Sequence, residues 1–342
     1  VFAAEFANAE MINFMVREAR GLVCLTLEPQ IVDNLKLPMM GDSTKKQPDQ
    51  GTAFTVSIEA RKGVTTGISA ADRAKTIQVA IAPEAKPEDL VVPGHIFPLK
   101  ARGGGILERA GHTEGSVDLA KMAGLGGSAV ICEIMNNDGS MARLPDLQEF
   151  ARKHDLPIIA IADMIKYRLR KDTLINKLKT GDIKTPYGVF RSSLFENTIS
   201  KEKCIAISKG QNFQDKTVDV RVHHHRPLLD VFGCPDGSSF RLSYGLKMLG
   251  DSEAAVFIYL TEQYQDDHFY KDIEWLHPEF ESSTAQSKPR KMDDRMLGTG
   301  AQILHHLGVR KMRIHTTSSR NLVGISGYGL EVDETKVMAN GE

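Results

Sequence analysis

The stretch Arg109–Ala110–Gly111–His112–Thr113 places a guanidinium, a permissive backbone position, an imidazole and a hydroxyl at the head of a helix-like segment, "RAGHTEGSVDLAKMAG". A helix N-terminus carries unpaired N–H groups and partial positive charge, so it attracts anions. Gly111 lets backbone approach a ligand closely, Arg109 can fork onto a phosphate or carboxylate, and Thr113 adds a hydroxyl. His112 then stands beside the ligand as a base or a metal ligand. Together they suit a small phosphorylated molecule. A plain cap by Thr113, with His112 on the surface, accounts for the same residues equally well.

Other polar residues stand where a packed domain does not ask for them. Glu133 falls inside the apolar run "SAVICEIM", where a carboxylate must be paired or face a cavity. His95 is held between two prolines in "PGHIFP" and is either catalytic or a satisfied structural histidine. Thr66, Ser69, Asp72 and Arg73 surround a glycine in "TTGISAADR", which a loop leading into a capped helix also explains. Cys24, in the apolar run "GLVCLTL", reads as a small buried residue.

The elements that must position these groups alternate between strand and helix. Asn8 can cap a helix bearing Met11, Phe14 and Met15 on one face. "EPQIVDNLKL" reads as a helix with Pro29 in its first turn. "TAFTVSIEA" alternates like a half-buried strand, and Ser69 can cap the helix after it. "PGHIFPLKA" is a short extended piece, "SAVICEIM" (128–135) and "PIIAIA" (157–162) read as strands, and "LPDLQEFARKHD" reads as a helix. Residues 42–51 and 279–294 are polar loops. The fold class is therefore α+β, with two mixed α/β domains: residues 1–170, a polar linker at 171–184, and residues 185–342. The second has strand-like runs at 203–208, 218–223 and 254–260.

The chain of 342 residues has a formal net charge of −1, which offers no global field for nucleic acid or a membrane surface. Four dispersed cysteines form no disulfide framework or zinc ribbon, and a reducing cytoplasm is the simplest setting. No apolar run approaches a membrane span.

Three long motifs in order, "GTAFTVSIEARKGVTTGISAADRAKTI", "PGHIFPLKARGGGILERAGHTEGSVDLAKMAGL" and "VICEIMNNDGSMARLPDL", resemble the signatures of 3,4-dihydroxy-2-butanone 4-phosphate synthase over residues 1 to about 168. The resemblance implies rearrangement of D-ribulose 5-phosphate, with loss of formate, in a riboflavin-pathway homodimer using Mg²⁺ or Mn²⁺. It assigns Arg109, Ala110, Gly111, His112 and Thr113 to substrate binding and His112 to the metal. It also implies that Glu133 binds substrate and is catalytic, and that His95 is needed for activity. Cys24 falls near the site in relatives. Family members also carry an acidic loop just before the strand matching "VFAAE", which supplies a metal-binding Glu; neither Glu5 nor Glu10 fits that motif. Residues upstream of this opening are expected, and the chain as written is expected to have little synthase activity.

"TPYGVF", "DDRMLGTGAQILHHLGVRKMRIHTTSS" and "GYGLEV" resemble GTP cyclohydrolase II. That family needs three zinc cysteines, and Arg226, Gly237 and Ser239 stand in their positions, with Cys234 offset. The segment that handles nucleotide phosphates is here "TEQYQDDHF" (261–269), of opposite charge, while Asp293 and Arg295 persist from the acid/base and arginine positions. His223, His224 and His225 are consecutive on a strand, so at most two point the same way. Zinc is not expected in this domain, which reads as cyclohydrolase-like and inactive. The alternatives are a bifunctional enzyme and a non-catalytic scaffold for other riboflavin enzymes.

Overall fold

The structure, a computed structural model, describes residues 1–41, 52–225, 230, 238–261, 294–316 and 328–338. The chain divides into two compact units, Val1–Ile165 and Lys166–Glu342.

The first unit is built on five strands: β1 (Phe2–Ala3), β2 (Cys24–Leu27), β3 (Ile58–Ala60), β4 (Leu90–Lys100) and β5 (Ser128–Ile131). Their order is β1-β5-β2-β4-β3, and only the β2–β4 pair is parallel. Its helices are α1 (Ala9–Phe14), α2 (Pro29–Asn34), α3 (Ala70–Ile81), α4 (His112–Met122) and α5 (Leu144–His154), and the chain passes from the first unit to the second within α6 (Ile161–Lys171). Two caps fall where the sequence places them. The Asn8 side chain accepts the Met11 N–H at 2.9 Å, and Ser69 accepts the Asp72 N–H at 3.0 Å. Ile12, Leu25, Ile58, Ile77, Ile96 and Val130 form the core between the sheet and α1 and α3, all of them fully buried.

The second unit carries a seven-stranded sheet of β6 (Ile175–Thr185), β7 (Gly188–Asn197), β8 (Lys203–Lys209), β9 (Thr217–His224), β10 (Ala255–Leu260), β11 (Lys311–Thr316) and β12 (Glu331–Val337). Its order is β12-β11-β9-β10-β8-β7-β6, parallel from β12 to β10 and antiparallel from there outward. Helix Ser238–Asp251 packs through Met248 and Leu249 against Phe257, while helix Asp294–His306 packs through Ala301, Ile303 and Leu304 in the cluster that holds Val256 and Ile258. Successive β10 side chains thus serve opposite faces, as a strand requires. Both units are mixed-sheet α+β folds, and no helix among the described residues is long and apolar enough to cross a membrane.

The structure departs from the sequence reading at several points. The expected linker at 171–184 is the end of α6 followed by most of β6. β6 lies at the sheet edge with mostly exposed side chains, so it shows no apolar alternation to read. "PIIAIA" forms no strand: Ile158 and Ile159 are exposed, and α6 begins at Ile161. β-Branched composition gave a strand signal, but a strand also needs a paired neighbour. β5 ends at Ile131, two residues short of Glu133. In "TAFTVSIEA" only Ile58–Ala60 is strand, and Ser57 through Ala60 are all buried, so the alternation does not mark a solvent face. The loops at 42–51 and 279–293 lie outside the described residues.

Candidate functional site

Gly111 is the N-cap of α4 and makes no side-chain cap bond. Thr113 sits inside the helix and is buried, so it is not the cap. Gly111 thus brings no side chain to close the first N–H groups of α4, an arrangement that favours an anion. His112 and Ala110 are exposed and Arg109 is half-buried.

The arginine is held by Glu114. Arg109 Nη1 lies 2.7 Å from Glu114 Oε2, and Glu114 Oε1 accepts the Arg102 N–H at 3.1 Å. A side chain on Gly111 would meet this pair: a Cβ there would lie 2.3 Å from Arg109 Nη1 and 2.7 Å from Glu114 Oε2. One turn further on, buried Asp118 accepts the Ile106 N–H at 2.9 Å. Glu114 and Asp118 thus staple the loop before "RAGHT" to the helix after it. Both roles escaped the sequence reading, although acidic residues four apart facing a glycine-rich loop are a usable signal.

His95 sits on β4, which loops out opposite the middle of β3. The pairing runs Ile58 to Ile96 and then Glu59 to Val91, so residues 92–95 form a bulge. His95 Nδ1 returns to within 2.7 Å of Glu59 Oε2. Glu59 is buried in β3, another residue that sequence reasoning missed; the signal was a lone carboxylate in "VSIEA".

Register brings these groups to one end of the sheet. Cys24 of β2 pairs with Phe97 of parallel β4 and with Ile131 of antiparallel β5. His95, two residues before Phe97, and Glu133, two after Ile131, therefore both lie toward the Leu22 end of β2, beyond its paired residues. They lie on, or just past, the two strands that flank β2 on opposite sides. α4 runs back along β5: its Lys121 pairs with Glu28 past the far end of β2, and Ser116 Oγ meets Thr26 Oγ1 at 2.8 Å. Its N-terminus is thereby directed to the Leu22 end as well.

Glu133 is exposed rather than buried, and its Oε2 accepts the Leu22 N–H at 3.0 Å. Gly21 allows this close pass, since a Cβ there would lie 2.4 Å from the Glu133 carbonyl. Burial pushes the Cys24 thiol up to about 12, with the Glu133 charge adding to it, so Cys24 is a neutral packed residue near neutral pH. In "TTGISAADR" it is Thr65, not Thr66, that donates to Asp72 Oδ2, at 2.8 Å; the Gly67 N–H joins it at 3.0 Å. The Thr65 hydrogen bond holds the Asp72 carboxyl below its ordinary range. Ser69 and Asp72 shape a turn and cap a helix here. Among the described residues no three His, Cys, Asp or Glu side chains gather as a metal site.

In the second unit, β9 alternates as expected. His223 Nε2 lies 2.9 Å from Asp230 Oδ1, and His225 Nδ1 meets the Tyr259 hydroxyl, which in turn reaches Asp230 Oδ2 at 3.3 Å. His224 points to the other face, where burial holds it down at about 4. An unfolded histidine titrates near 6.5. As pH falls from 6.5 towards 4 the unfolded chain binds a proton that the folded one does not, and stability drops by up to about 3 kcal/mol. Urea unfolding at pH 7 and pH 4.5 should show this loss in the second unit, and His224→Asn should shrink it. Asp293, Arg226 and Gly237 lie outside the described residues; Arg295 and Ser239 lie within helices Asp294–His306 and Ser238–Asp251.

A family model described as 3,4-dihydroxy-2-butanone 4-phosphate synthase matches residues 1–167, and one described as GTP cyclohydrolase II matches residues 176–337. The riboflavin biosynthesis protein RibBA of Aquifex aeolicus is 46% identical over 348 residues, spanning 98% of this chain and 84% of that protein. A 3,4-dihydroxy-2-butanone 4-phosphate synthase of Neisseria meningitidis serogroup B is 45% identical over 97% of this chain and 88% of its own length. The crystal structure of RibBX, a two-domain 3,4-dihydroxy-2-butanone 4-phosphate synthase from A. baumannii, matches with a TM-score of 0.77 at 38% identity, covering 98% of this chain and 90% of that one. The chain belongs to the 3,4-dihydroxy-2-butanone 4-phosphate synthase family of riboflavin biosynthesis, in the form that joins a synthase domain to a GTP cyclohydrolase II domain.

Proposed function

We propose that the first domain converts D-ribulose 5-phosphate to 3,4-dihydroxy-2-butanone 4-phosphate and formate. The observation that carries this is the gathering of the uncapped α4 N-terminus, His95 and Glu133 at the Leu22 end of one sheet. The α4 N–H groups and Arg109 bind the phosphate. His95 Nε2, on the open side of its ring, accepts and returns protons as the sugar enolises. Glu133, tethered through Leu22, binds the sugar hydroxyls.

A divalent ion, Mg²⁺ or Mn²⁺, belongs to this reading and supplies charge stabilisation to sugar oxygens when bound. His112 is the one ligand we assign. The described residues do not complete a cage around it, so no step is routed through the ion. Mg²⁺ keeps several waters in such sites.

For the second domain we favour a cyclohydrolase-like fold without that activity, because the resemblance to GTP cyclohydrolase II sets Arg226, Gly237 and Ser239 against that family's zinc cysteines. The bifunctional alternative has support in the relatives named RibBA. A cytoplasmic homodimer acting on a small sugar phosphate, with no nucleic-acid or membrane partner, completes the reading.

Formate release by the full-length gene product is the test. Ribulose 5-phosphate with Mg²⁺ should yield formate, chelation should abolish it, and His112→Ala should lower it at least about tenfold. GTP should yield none, and purified protein should hold no stoichiometric zinc. Formate from GTP with bound zinc would establish the bifunctional reading instead.

A further inference from the structure

We infer that Glu59 is the positioning residue for His95, holding its Nδ1–H so that Nε2 is presented to substrate as the proton acceptor. The role in turnover rests on the sugar-phosphate reading of the site; the positioning itself does not.

Three features build the pair. First, the contact is short and one-sided. His95 Nδ1 lies 2.7 Å from Glu59 Oε2, the Glu59 side chain is 11% exposed, and the His95 side chain is 45% exposed. Nδ1 is anchored in protein, while nearly half of the side chain remains open to solvent. Second, the carboxylate is itself fixed. Its Oε1 is 3.1 Å from the Thr76 hydroxyl of α3, which receives the Ala60 N–H at 3.1 Å and lies 3.0 Å from the Asp72 carbonyl. Thr76 is fully buried, so Glu59 cannot swing away without leaving this network. Third, the pair is covered by backbone. Gly67 has φ +82°, and a Cβ there would lie 2.0 Å from Glu59 Oε2 and 2.6 Å from His95 Nδ1. The turn that puts Gly67 there is held by Asp72.

A carboxylate accepting from Nδ1 sets the tautomer: the proton sits on Nδ1 and the lone pair on Nε2. A proton leaving the substrate adds to that lone pair, and the electrons of the broken bond stay on the substrate. The resulting imidazolium is stabilised by the Glu59 charge, as in other carboxylate–histidine pairs. An ion pair serving only to join β3 to β4 would not need the open Nε2 or the backbone lid.

The test uses protein labelled with [¹⁵N]histidine, with His95 assigned by the signals lost in His95→Ala. Long-range ¹H–¹⁵N spectra at pH 8 should show His95 protonated on Nδ1 alone. Glu59→Ala should move the proton largely to Nε2, whereas Glu59→Gln, whose amide oxygen still accepts, should keep it on Nδ1. With ribulose 5-phosphate as substrate, Glu59→Gln should lower kcat about tenfold or more with KM nearly unchanged. Added to His95→Ala, the same substitution should cost nothing further. A wild-type His95 protonated on Nε2, a tautomer indifferent to Glu59→Ala, or an equal kcat loss from Glu59→Gln in both backgrounds would overturn the inference. If Glu59→Ala does not fold, the isosteric Gln variant still decides through the two backgrounds. Undiminished turnover in His95→Ala, with the tautomer following Glu59, would instead sink the proton-transfer role of His95 and leave the positioning intact.

Discussion

Glu114→Ala is expected to lower the stability of the first unit by about 3 kcal/mol and to weaken phosphate binding. Glu114 is 1% exposed, and both of its oxygens are engaged, one by Arg109 and one by the Arg102 N–H. Removing one partner of a buried pair costs about 3–5 kcal/mol, because the other charge loses that interaction in a poorly solvated place. The Arg109 side chain is 20% exposed, which gives it some water and sets the expectation at the lower end. The loss of the Arg102 contact releases the loop as well. Urea unfolding measures the first effect. Glu114→Gln retains an acceptor for the Arg102 N–H and should fall between wild type and alanine. A stability within 0.5 kcal/mol of wild type for Glu114→Ala would mean that the pair does not organise this loop.

Gly94→Ala should be at least as damaging, by about 3 kcal/mol or more, for a steric reason. A Cβ at Gly94 would lie 2.0 Å from the Ile58 carbonyl oxygen, 2.1 Å from its carbon and 2.4 Å from the Glu59 nitrogen. All three are backbone atoms, so no side-chain rotation relieves the clash. β4 must withdraw from β3 at the bulge that carries His95, separating His95 from Glu59. Gly103→Ala is the control, with nothing within 4 Å of the added carbon. It should leave the unfolding midpoint nearly unchanged.

Periodicity and capping chemistry made much of the fold legible. Asn8 and Ser69 mark helix starts because their cap bonds are local in sequence, and Pro29 does so through its fixed φ and missing N–H. "PIIAIA" failed because strand formation depends on a neighbour that composition cannot report, and β6 was missed because an exposed edge strand carries little apolar signal. At the site, Arg109, His112 and His95 stood out by residue type. Their supports, Glu114, Asp118 and Glu59, did not, since a buried carboxylate is recognised by its partners and these become neighbours through the fold. Glu133 shows the opposite error: an apolar run suggested burial, but the strand ends before reaching it.

The pairing of β2 also governs the order in which the molecule is made. Its neighbours β4 and β5 lie far along the chain, and β1 at the start waits for β5 as well. A nascent chain cannot close this sheet until residue 131 has left the ribosome, and contacts of such long range form slowly. The strands β6, β7 and β8, in contrast, are sequential neighbours that can zip as they emerge. The Leu22 end is bounded by the last strand to arrive, so the groups proposed for catalysis meet only when the first sheet is complete. A partly synthesised first domain therefore contains His95 and Arg109 but no site.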